Sequence, residues 1–75
     1  MINNITDLNK EVFLATRDDN WDDNRIGYLS ELLKVYNDAQ EEAKQYGYVG
    51  VGCISYAEAR IRVWQDMNPY ETYGG

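Results

Sequence analysis

With 75 residues the chain has room for one domain, and 13 acidic against 7 basic residues give a net charge of −6, which disfavours non-specific contact with DNA, RNA or anionic membrane. There is no histidine, so imidazole-based zinc sites and His-dependent acid–base catalysis are excluded. The lone cysteine, Cys53, excludes an internal disulfide and fits a reducing compartment.

A chain this short buries only about 60–65% of its unfolded surface, so well-fitted helices, self-association or a partner must supply stability. The start, Met1-Ile2-Asn3-Asn4, has neither the basic region nor the apolar run of a secretory signal. No apolar stretch approaches the ~20 residues of a membrane span, and the expected setting is cytoplasmic. The charge is uneven: residues 1–24 carry six acids and two bases, while the remainder is nearly balanced.

In chain order, residues 1–5 are expected to be frayed or extended. Thr6 or Asp7 can cap a first helix over Leu8–Arg17, with Asp7 and Glu11 near its positive end. Ile5, Leu8, Val12 and Ala15 form its apolar edge, widened by Phe13 and Leu14. Then Asp18-Asp19-Asn20-Trp21-Asp22-Asp23-Asn24 breaks the helix, because Asp and Asn compete for backbone hydrogen bonds. Asp22, Asp23 or Asn24 caps the second helix, and Trp21 either folds onto the core or stands out as an anchor.

The stretch Asp23–Tyr46 organises the chain. At 100° per residue, Ile26, Tyr28, Leu29, Leu32, Leu33, Val35, Tyr36, Ala39, Ala43 and Tyr46 fall in one half-circle. That width suits a core-facing helix rather than a two-stranded coiled-coil seam. Gly47 is its expected left-handed stop, and Gly47, Gly50 and Gly52 make a connector. Ser55-Tyr56-Ala57-Glu58 fits a capping box opening a third helix that runs to Met67, ahead of Pro69. Its apolar side is Tyr56, Ala57, Ile61, Val63, Trp64 and Met67, and Glu58 and Arg62 form an i,i+4 pair. Residues 68–75 are expected to be mobile unless Tyr70 or Tyr73 docks. The predicted architecture is all-α: a small three-helix bundle over residues 1–75, with a long central amphipathic helix and a Gly-rich connector before the last helix.

Several constellations invite chemistry and fall short of it. Asn20, Asp22, Asn24 and Glu31 occupy positions 1, 3, 5 and 12 of a calcium loop, but Arg25 stands where glycine is required. The glycine connector precedes a helix but lacks the lysine of a phosphate-binding loop. Cys53 has no histidine to activate it and reads as a buried small hydrophobe. A helix-turn-helix reading fails on connector length and charge. The four Asp residues around Trp21 could mimic a row of phosphates, yet a mimic of a long duplex should carry acids over most of its surface. No metal, cofactor, enzymatic activity, direct nucleic-acid binding or membrane association is expected.

In overall style, one short acidic domain rich in Asn, Asp and Tyr without a catalytic set, the chain is similar to small phage-encoded proteins that bind and block a host factor. That similarity is of type and carries over no residues. It implies a protein-binding inhibitor, with a partner that presents a basic surface, a nucleic-acid-binding protein being one such class. The candidate contact residues are Asp18, Asp19, Trp21, Asp22, Asp23, Tyr48, Tyr70 and Tyr73, and Trp21→Ala should weaken binding by about 2 kcal/mol. The alternative is a structural or self-assembling protein whose core is completed in a homodimer.

Overall fold

Residues 1–19 and 21–70 are described by a computed structural model. Three helices carry the fold: α1 (Ile5–Ala15), α2 (Asp23–Gln45) and α3 (Val51–Met67). No strand occurs among the described residues, and the chain is a small all-α three-helix bundle. No helix among them is long and apolar enough to cross a membrane.

α2 runs about 34 Å at 1.5 Å per residue, roughly twice the length of α1. Most of the expected half-circle faces inward, burying Tyr28, Leu29, Leu32, Tyr36, Ala39 and Ala43, while Tyr46, past the end of the helix, is exposed. Both ends form at the residues that predict them. The Asp22 side chain accepts a hydrogen bond from the Arg25 amide at the N-terminus. At the other end Gly47 has φ +93°, its amide donates to the Lys44 carbonyl, and the Tyr48 amide donates to the Ala43 carbonyl. This is the Schellman pattern, which satisfies two carbonyls that the helix leaves open.

α1 and α3 both run antiparallel to α2. The Asp22 amide donates to the Ala15 carbonyl, joining the end of α1 to the start of α2. The Tyr28 hydroxyl donates to the Asn68 carbonyl, joining the start of α2 to the end of α3. Leu8, Leu29, Leu32 and Ile61 are fully buried where the three helices meet. Ala39, Ala43 and Ala57 are buried too, and their small side chains let helix backbones approach.

The N-terminal side departs from expectation, and α3 is the reason. Asn4, rather than Thr6 or Asp7, caps α1, accepting from the Asp7 amide at 2.8 Å. α1 ends at Ala15, two residues short of Arg17, where the Thr16 hydroxyl donates back to the Val12 carbonyl. Residues 1–4 are non-helical, yet Ile2 is buried. The Gln65 amide pairs with both backbone groups of Ile2: its Oε1 accepts from the Ile2 amide at 2.9 Å and its Nε2 donates to the Ile2 carbonyl at 2.7 Å. Arg62 donates to the Asn3 carbonyl, and Glu58 accepts from the Ile5 amide. The expected Glu58–Arg62 pair is therefore replaced by two reaches to the start of the chain.

α3 begins four residues before the capping box. Gly50 has φ +58° and opens the helix at Val51, so Ser55-Tyr56-Ala57-Glu58 lies within α3 and does not cap it. The early start buries Cys53, whose thiol donates to the Tyr48 carbonyl at 3.2 Å. Gly52 packs closely in that first turn: a Cβ there would stand 3.3 Å from the Tyr48 ring. The buried line of α3 is Cys53, Ala57, Ile61 and Gln65. Val63 and Met67, expected on the core side, are exposed.

Candidate functional site

The predicted contact residues divide between the two ends of α2. Asp18, Asp19, Trp21, Asp22 and Asp23 lie at its N-terminal end, all exposed. Their polar groups are partly engaged within the chain. Asp22 caps α2, Asp19 lies 3.5 Å from Arg17, and the Trp21 indole donates to Asp23 at 2.7 Å. That last bond holds the Trp21 ring outward, 61% exposed. Tyr70 belongs to the same end but is half-buried, its ring 5.2 Å from that of Tyr28 and 4.7 Å from the Arg25 guanidinium. Tyr48 is at the far end, beyond Gln45. Tyr73 lies outside the described residues.

The far end holds a constellation that residue spacing did not reveal. Around the α2–α3 corner, Tyr46 and Tyr48 flank Tyr56, with ring centroids 6.2 and 5.9 Å from it. Beneath them the Glu42 carboxylate accepts from the Tyr56 hydroxyl at 2.9 Å, and its two oxygens both accept from a single Arg60 nitrogen, Nη2, at 2.9 and 2.8 Å. The Arg60 guanidinium also lies over the Tyr56 ring, 5.6 Å from its centroid. This polar hub ties the Tyr56 and Tyr46 hydroxyls to Glu42, while Val49 and Val51 stand 81% and 75% exposed beside the rings.

Donation from Tyr56, and then from Arg60, holds the Glu42 carboxyl below its ordinary value of 4.5. Burial, followed by donation to Glu42, raises the Tyr56 hydroxyl. A carboxyl with a depressed folded pKa stabilises the fold above its unfolded value and withdraws that contribution as pH falls through the folded one. Glu42→Gln should therefore be less stable than wild type at neutral pH, with denaturant midpoints converging as pH drops below 4.5. A gap that persists unchanged into that acid range would deny the carboxylate charge this role.

From the corner a groove of about 260 Å³ continues along α2 and α3. Val35 and Ala39 of α2 and Val63, Trp64 and Met67 of α3 line it, with Asp38, Glu42 and Arg60 at its margins. Glu42 and Arg60 thus belong to both corner and groove, making one continuous strip. α1 packs elsewhere on α2: Val12 and Thr16 face Ile26, Leu29, Ser30 and Leu33 around a cavity of about 50 Å³. No family model, curated protein or solved structure matches the chain.

Proposed function

We propose that this chain is a protein-binding module that acts by occupying a surface of another protein, as a small phage or mobile-element inhibitor blocks a host factor. The observation that carries this reading is the α2–α3 corner. Val49 and Val51, 81% and 75% exposed, stand beside the exposed Tyr46 and Tyr48, a grouping of apolar and aromatic side chains of the kind that marks interaction sites. Aromatic rings already held in place lose little freedom on binding, which favours them as contact anchors. The net charge of −6 directs the module toward a basic partner and speeds encounter at low salt.

A second reading places the contact at the opposite end, and the exposed Trp21 favours it. α2, about 34 Å long, separates the two ends, whereas a standard interface buries roughly 800 Å² per partner. One variant at each end distinguishes them. Val49 is in the connector and outside the core, so Val49→Asp leaves the fold intact while placing a charge in the patch. Tagged wild type, Val49→Asp and Trp21→Ala are compared in affinity capture from a lysate of the source cells. The corner reading expects one dominant, salt-sensitive protein retained by wild type and Trp21→Ala and lost from Val49→Asp. Loss from Trp21→Ala alone moves the contact to the acidic loop. Retention of no protein by any of the three contradicts the binding reading.

A further inference from the structure

The groove between α2 and α3 has walls of different chemistry. At spacings of four, three and four, Glu31, Val35, Asp38 and Glu42 share one row of α2. At the same spacings, Tyr56, Arg60, Val63 and Met67 share one row of α3. The first row holds three acids and no base; the second is apolar apart from Arg60. Glu42 and Arg60 neutralise each other. Glu31 and Asp38 are exposed and have no ion-pair partner among the described residues.

We propose that this groove seats an amphipathic helix of the partner protein, apolar toward Val63 and Met67 and basic along the edge that lies over Asp38 in the lining and, one turn beyond Val35, over Glu31. The proposal rests on the protein-binding reading above and names the partner's element. Three features fit a helix. The row from Glu31 to Glu42 spans about 16 Å, three helical turns. Ala39 in the lining leaves room for a side chain from the incoming helix. α1 lies on the Ile26–Leu29–Leu33 side of α2, so no helix of the described residues covers the groove. Charge selects the occupant. A second copy would bring its own net charge of −6 and the same acidic row, setting like charges together. A basic helix instead supplies the cations that Glu31 and Asp38 lack.

The test uses the full chain and two synthetic helical peptides with leucine at i, i+3, i+4 and i+7. One carries lysine at the remaining positions and the other carries glutamate. Backbone amide spectra are recorded during titration. Expected is a saturable shift of Val35, Asp38, Ala39, Val63 and Trp64 with the lysine peptide and none with the glutamate peptide. Asp38→Lys and Val63→Arg, both at exposed positions, should each weaken binding at least about 10-fold. Equal response to both peptides, shifts confined to the Asp18–Asp23 loop, or no shift at all overturns the proposal. So do groove shifts that track protein concentration without peptide, which would assign the groove to a second copy. If the peptides fail while Val49→Asp still abolishes partner capture, the helical occupant is wrong and the protein-binding reading stands. If both fail, the underlying reading falls too.

Discussion

Replacing Leu32 with alanine should lower the unfolding free energy by about 2–5 kcal/mol, the range for truncating a buried leucine. Leu32 is fully buried in the same cluster as Leu8, Leu29 and Ile61, which draws on all three helices. Truncation removes apolar contacts on several sides at once, and the neighbouring helices cannot all close on the gap. A single core in a chain below about 70–80 residues rarely supplies more than 3–5 kcal/mol in total. The expected result is therefore a variant with little or no cooperative urea transition at room temperature. Met67→Ala, at an exposed position, should stay within about 0.5 kcal/mol of wild type. A Leu32→Ala midpoint close to that of wild type would mean that the three-helix junction is not where stability resides.

Gln65→Glu should have the next largest effect, although it changes one amide nitrogen to oxygen. The Gln65 amide is buried and donates to the Ile2 and Ile61 carbonyls while accepting from the Ile2 amide. A carboxylate keeps the acceptor and loses both donors. It also sets negative charge against two carbonyl oxygens in a buried site. Leaving such groups unsatisfied costs about 1–3 kcal/mol each, and more where charge is involved. Burial raises the pKa of the new carboxyl above its unfolded value, so the penalty is present at neutral pH. It is relieved as pH falls through the folded pKa and the group regains a proton to donate. Stability of this variant should thus rise toward wild type on mild acidification. Equal stability at neutral pH would show that the Gln65–Ile2 pairing contributes nothing.

The range of the interactions decides which elements can be read from residue order. α2 was legible because its signals are local: a 3.6-residue apolar period, Asp22 before it and Gly47 after it. The start of α3 was not. Two glycines near its first turn are poor helix formers, and Ser55-to-Glu58 offered a plausible cap farther on. The deciding features are Gly50 turning at positive φ and Gly52 making room for the Tyr48 ring. The Ile2–Gln65 pairing joins residues 63 apart, and no periodicity reports it.

The surface shows the same limits. Tyr48 and Trp21 read from the sequence as aromatic contact residues, and both are exposed. Their separation follows from residue order, since Trp21 precedes α2 and Tyr48 follows it. Val63 and Met67 read as core-side residues because they are apolar on an amphipathic helix. They sit off the Cys53–Ala57–Ile61–Gln65 line and border the groove instead. The Glu42 hub draws Tyr56 and Arg60 from another helix, so only the packed structure brings its members together.

The most direct test of a contact at the α2–α3 end is amide hydrogen exchange of the chain alone and with its captured partner. Slowed exchange over residues 46–54, extending along the groove to Val35 and Val63, is the predicted result. Protection confined to residues 16–23, with the corner unchanged, would contradict it.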